Sequence, residues 1–236
     1  MNALLDIAYS CKSFISNEWK EQYGSFLLNE HLSLLSRNTY ALYQNDFTKI
    51  HGKPNFEEEI IPNIQEAFST FKTQFHTIKK YNFEWNVITR KAFATALEQT
   101  PFAHVLILSG QRLTSASVQD ESAIPSLRQE LIKHSFEAYN DQISKAVRAW
   151  EKHAQRSSDN FWGTIKGSNQ EKEENVQKLI KYILKHKSWW NVFTHYKHEL
   201  VYEARIPSGH GIRWKKDTNE LIGFLEPFEN YDYDRK

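Results

Sequence analysis

Between residues 56 and 81 the apolar side chains return at helical spacing. Ile61, Ile64, Phe68, Phe71, Phe75 and Ile78 follow one another at intervals of three or four, which keeps them on one stripe of a helix. Pro62 stands near the start, where a missing N–H costs least, and marks the first turn. A second stripe of the same kind is Ile132, Phe136, Tyr139, Ile143, Ala146 and Trp150, and it predicts one long helix from Pro125 to about Gln155. Two stripes so alike invite antiparallel packing through a shared seam.

Shorter periodic segments surround these two. Residues 2–15 place Leu4, Leu5, Ala8, Cys11 and Ile15 on one side of a helix, with Cys11 as a small buried hydrophobe. Asn17 is placed to cap a second helix running to about Ser36, and a third spans Asn38 to Ile50 before the breaker His51-Gly52-Lys53-Pro54. Glu84 to Gln99 forms another. The run Val105-Leu106-Ile107-Leu108 fits a buried helix or a buried strand. Thr100-Pro101 as a cap and first turn, with Gly110 as a stop, favours helix over 101–109. Residues 111–123 are polar and read as loop. Ser168-Asn169-Gln170-Glu171 has the spacing of a capping box and opens a last helix to about Lys187.

After Ser188 the period changes from helical to twofold. His198, Leu200, Tyr202, Ala204 and Ile206 alternate with Glu199, Val201, Glu203 and Arg205, as in a half-buried strand. Ile206-Pro207-Ser208-Gly209 has Pro and Gly where a type I turn takes them. Residues 211–215 and 221–225 supply two more strands. The expected fold is mainly α: a helical bundle of about seven helices with a small C-terminal three-stranded antiparallel β-meander. No repeat or linker divides the chain, so the expectation is a single domain over 1–236. It comprises a helical scaffold at 1–187, an aromatic and basic segment with the meander at 188–228, and an acidic tail at 229–236.

Composition sharpens this picture at the C-terminal end. The net charge is only +1, yet residues 181–216 hold eight lysines and arginines against two acids. The last twenty residues reverse this, with six acids and two bases. Three of the seven tryptophans and three of the ten histidines fall between Trp189 and Trp214. With one cysteine, no intrachain disulfide or thiolate metal cluster is available, and a reducing compartment is favoured. The N-terminus has no signal-peptide pattern and no run reaches the ~18 apolar residues of a membrane span. A soluble cytoplasmic protein is expected, with the nucleus as an alternative and no membrane partner.

The candidate chemistry sits in the same corner. His195, His198 and His210 have the spacing H-x2-H-x11-H, which matches no established metal motif, and neither a metal nor another cofactor is expected. Arg205 and Arg213 fall on the same face of adjacent strands. They either frame an anion site or stand in an ion-pair ladder with Glu203 and Glu226. Gly163 and Gly167 precede a capped helix but lack the Lys and Ser/Thr of a phosphate loop. Trp189-Trp190 reads as a hinge of rings locking the last helix onto the meander. Rings alternating with cations, among them Trp189, Trp214 and Lys215, suit the stacking of single-stranded nucleic acid.

Three function classes follow, and the sequence alone does not choose an activity. The first is a binding module whose basic and aromatic C-terminal surface engages an anionic partner, either single-stranded nucleic acid or a phosphorylated or carboxylated small molecule. The second is an enzyme using His195, His198 or His210 for proton transfer and Arg205 and Arg213 to hold an anionic substrate. The third is a structural or interaction protein with no ligand. Oligomeric state is open.

Overall fold

In a computed structural model, residues 2–45 and 54–228 are described. Contacts divide the chain into two compact units. Met1–Pro54, Ile60–Leu113 and Val118–Ile124 make the first, and Asn55–Glu59, Thr114–Ser117 and Pro125–Lys236 make the second. The C-terminal end of the predicted third helix, the breaker up to Lys53 and the acidic tail lie outside the described residues.

The first unit is helical. Its helices are α1 (Asn2–Ser10), α2 (Asn17–Tyr23), α3 (Asn29–Tyr43), α4 (Ile64–Lys80), α5 (Val87–Gln99) and α6 (Phe102–Leu108). The stripe on α4 is buried from Phe68 to Ile78, with Phe71 meeting Phe93 of α5 edge to face at 5.7 Å. Each such ring removed from water stabilises the unit by roughly 1.5–3 kcal/mol. The helix starts two residues after Pro62, because Asn63 caps it by accepting the Glu66 N–H. The expected second helix is broken at Gly24–Leu27, a 3-10 turn, and α3 starts earlier than expected. Inside α3, Ser36 and Thr39 return their hydroxyls to the carbonyls of Leu32 and Leu35, so these polar residues do not end it. The run at 102–108 is helical and stops at Gly110, which takes φ 96°.

The second unit is three helices on a sheet. Its helices are α7 (Arg128–Ser135), α8 (Lys145–Ala154) and α9 (Asn169–His186), with a 3-10 turn at Asn160–Trp162. The strands are β1 (Trp189–His195), β2 (Glu199–Arg205), β3 (Gly211–Lys215) and β4 (Leu221–Leu225), all antiparallel in the order β1-β2-β3-β4. The capping box at Ser168 and Glu171 forms as the sequence predicts.

Two expectations are corrected here. The described residues hold nine α-helices and a four-stranded sheet, against about seven helices and three strands. The extra strand is β1, read from sequence as a hinge of rings. Four of its first residues are buried in succession, and a strand covered on both faces shows no simple alternation. The long helix expected from 125 to 155 is two helices. Between them Ala138 bridges to Ser144, and Asn140 Oδ1 accepts the N–H groups of Gln142 and Ile143. Ser144 then caps α8, and its own N–H and hydroxyl donate to Glu173. The two apolar stripes therefore belong to different units; the first is buried from Phe68 to Ile78, whereas of the second only Ala146 and Trp150 are buried and Tyr139 is 54% exposed.

The pleat separates the sheet's two faces. Trp190, Val192, Tyr202, Ala204, Ile212, Trp214 and Phe224 share one face and are buried with the helices; Trp214 Nε1 donates to Ser135 Oγ at the end of α7. Trp189, Asn191, Phe193 and His195 share the other with Glu203, Arg205, Arg213 and Lys215. Residues 116–117 extend the β1 edge, where Thr194 N–H donates to Ala116 O and Asn191 Nδ2 to Ser117 Oγ.

Candidate functional site

At the centre of that second face is a carboxylate held between two guanidiniums. Glu203 is 1% exposed and lies in register with Asn191 on β1 and Arg213 on β3. Its Oε1 accepts from Arg205 Nε at 2.5 Å, and its Oε2 from Arg213 Nε at 2.7 Å. One anion between two cations leaves the cluster with a single net positive charge. Both arginines predicted to share a face do so, and they share a carboxylate as well. Glu226 enters through its backbone carbonyl only, which accepts from Arg205 Nη1.

The two arginines are not equivalent. Arg205 is buried; its Nη1 also donates to Gly209 O at 2.6 Å, and its guanidinium lies 3.8 Å from the centroid of the Phe228 ring. Burial lowers its pKa from the ordinary value, against the pull of Glu203. Its side chain passes over Gly211, where an added Cβ would come within 2.5 Å of Arg205 Cγ. Gly209, at φ 87°, closes the turn with its N–H on Ile206 O. Arg213 is more open, 19% exposed, and its guanidinium lies 5.4 Å from the Phe193 centroid. Its Nε and Nη2 go to Glu203, and its Nη1 makes no hydrogen bond among the described residues.

One step beyond Phe193 on the same face is His195. Burial lowers the pKa of its imidazole, and the positive charge of Arg213 lowers it further. Its Nδ1 accepts the Lys197 N–H at 3.2 Å, and its ring stacks on His198 with centroids 5.2 Å apart. Tyr196, at the tip of the β1–β2 hairpin, is 85% exposed with Lys197 Nζ over its ring. Beside the hairpin lies a cleft of about 310 Å³ lined by Lys197, His198, Glu199, Leu200, Lys215 and Asp217. Lys215 pairs with Glu220 at 2.7 Å, which raises the pKa of the amine and lowers that of the acid.

The remaining candidates lie elsewhere. His210 is at the opposite end of β2 from His195 and His198, roughly 20 Å along the strand. The three histidines of the H-x2-H-x11-H pattern therefore do not converge. Trp189 is buried between Phe56 and Phe228, and Trp214 is on the helix-covered face. The N-terminus of α9 is filled by its own capping box, with Glu171 packed against Gly167.

The face that emerges has a cationic centre with free donors on Arg213 and two stacked imidazoles beside it. Lysines and an exposed ring stand at its rim. Sequence reasoning passed over Asn191, Phe193, Tyr196 and Lys197, because they fall in or beside the strand it did not recognise. With β1 in place, the twofold period alone would have aligned Asn191, Phe193 and His195.

Residues 132–226 match a family model described as the CdiA C-terminal tRNase toxin domain. The match lies within the second unit, from α7 to the residue after β4, and covers less than half of the chain. Over that stretch the chain is similar to a domain family whose members act on nucleic acid. No curated protein and no solved structure matches the chain.

Proposed function

We propose that the second unit is a ribonuclease of toxin type whose substrate is tRNA. The observation that carries this reading is that the stretch matching a tRNase toxin domain contains the whole face built on Glu203, Arg213 and His195. An anionic substrate fits the net positive charge of the cluster, and RNA fits an acid–base pair placed beside an arginine.

The chemistry divides among these groups as follows. A phosphodiester is held at Arg213 Nη1, which stabilises the charge that builds on the non-bridging oxygens. His195, kept neutral at pH 7 by burial and by Arg213, takes the proton of the substrate 2′-hydroxyl on Nδ1. The hydroxyl displaces the exposed Lys197 N–H from that atom. The 2′-oxygen bonds to phosphorus, the bond from phosphorus to the 5′-oxygen breaks, and His198 gives that oxygen its proton. The products are a 2′,3′-cyclic phosphate and a 5′-hydroxyl. Lys197 and Lys215 meet neighbouring phosphates, and Tyr196 offers a ring on which an unpaired base stacks. Glu203 and Arg205 keep Arg213 in place.

The test is to incubate the full chain with mixed tRNA and follow its length on denaturing gels. The wild type shortens tRNA, while H195A and H198A each lose 10²-fold or more, the order expected for a lost acid or base. Retention of tRNA without cleavage would leave a binding module. No retention and no cleavage at low salt would overturn the reading.

A further inference from the structure

At the other end of the sheet, four segments of the second unit bring metal-ligating side chains together. His153 comes from α8, Asp159 from the loop before the 3-10 turn, His210 from the β2–β3 turn and Glu226 from the residue after β4. Ligand atoms of Asp159, His210 and Glu226 all lie within 4.8 Å of one another. His153 Nε2 lies 3.0 Å from Glu226 Oε1. We propose that these four residues form a site for a zinc-class divalent cation that fastens the four segments together. The site is distinct from the face carrying His195 and stands independently of the proposed ribonuclease.

The chemistry of the donors supports this class of ion. Two imidazoles and two carboxylates make a mixed nitrogen and oxygen set, which suits zinc and its neighbours; magnesium and calcium take oxygen alone. His153 Nε2 is buried, and its one polar neighbour among the described contacts is the Glu226 carboxylate. Glu226 Oε1 is 3.0 Å away, and an ion bound between them would take the lone pair of Nε2 and the charge of the carboxylate together.

A second layer of contacts already orients the ligands. His210 is 6% exposed, stacks on Phe161 at 3.9 Å between centroids and has its Nδ1 2.8 Å from Ser208 Oγ. Its Nε2 is thereby directed at Asp159 Oδ2, 2.6 Å away. Glu226 Oε1 accepts from Trp162 Nε1 at 3.1 Å. Ligating histidines characteristically fix the free ring nitrogen in this way. Arg205 donates to Glu226 O, so the ion also stiffens the anchor of the arginine cluster.

The experiment uses the full chain freed of metal by a chelator and then dialysed. Zinc sulfate is titrated against a competing chromophoric chelator, and thermal unfolding is measured with and without it. Expected is one equivalent bound with micromolar or tighter affinity and a Tm raised by several degrees. H210A and E226Q abolish both effects; Glu226 is 44% exposed, so E226Q keeps the fold even where H210A does not. H195A retains both effects, and magnesium sulfate produces neither. Absence of binding by the wild type at micromolar zinc would overturn the proposal. Equal binding by E226Q, or an equal effect of magnesium, would overturn it too.

Discussion

Arg213 Nε donates to Glu203 Oε2 at 2.7 Å, and the two residues are register partners across the β2–β3 ladder. The contact joins the most buried acid of the face to its most accessible guanidinium. Geometry set by backbone pairing thus fixes where the Arg213 guanidinium and its positive charge sit.

The triad makes an asymmetric prediction about stability. E203A leaves two guanidiniums without their shared anion, one of them buried, and loses about 3–5 kcal/mol in urea unfolding. R213A leaves Glu203 still paired with Arg205 and loses less, about 1–2 kcal/mol, because Arg213 is partly exposed. Equal losses for the two variants would contradict the arrangement.

Two glycines of the sheet give a paired steric test. A Cβ at Gly211 would meet Arg205 Cγ at 2.5 Å and Ala204 O at 2.7 Å, so G211A destabilises by about 1–3 kcal/mol. Gly223 has nothing within 4 Å of such a Cβ, so G223A changes stability by about 0.5 kcal/mol or less. The same unfolding measurement reads both. A G211A chain as stable as wild type would mean that Arg205 does not run over that position.

The pH dependence follows from the lowered pKa of His195, which burial and then Arg213 depress below the usual 6.5. Folding favours the neutral ring. It therefore costs no stability above about pH 6.5, and the penalty grows as the pH falls below that value. The expected midpoint of His195 in an NMR titration is below its ordinary value of 6.5. The acid limb of cleavage falls at that midpoint, since the base must be neutral. In R213A the midpoint rises only part of the way back, because burial is the larger cause. A midpoint above 6.5 in the wild type would contradict the assigned role.

These predictions rest on features of unequal visibility in the sequence. The α4 stripe from Phe68 to Ile78, the Ser168–Glu171 box and the Pro207–Gly209 turn each follow from local rules that nothing in the tertiary structure overrides, while Ile61, counted with that stripe, lies before the helix and is exposed. Strand β1 was hidden because its first four residues are buried in succession and each face mixes apolar with polar side chains, so no clean alternation marks it. The break between α7 and α8 was hidden for the opposite reason. The hairpin at 138–144 preserves the three-and-four spacing of its apolar residues, and only Asn140-Asp141 betrays it.

The site was legible in part for the same reasons. Arg205 and Arg213 could be aligned because β2 and β3 alternate cleanly. Glu203 was visible as a neighbour, but its burial between both arginines depends on long-range packing. The pairing of His195 with His198 needs the β1–β2 hairpin, and the meeting of His153, Asp159, His210 and Glu226 needs four separate segments. Sequence spacing carries no signal for such convergence.

The proposed cleavage uses the RNA's own 2′-hydroxyl as nucleophile. The most direct test treats one tRNA, and a DNA of identical sequence, with the full chain and analyses the fragment ends by mass spectrometry. Cleavage of the RNA with a 2′,3′-cyclic phosphate on one fragment and a 5′-hydroxyl on the other, and an intact DNA, is the predicted result. Intact RNA, or DNA cut as readily as RNA, would contradict it.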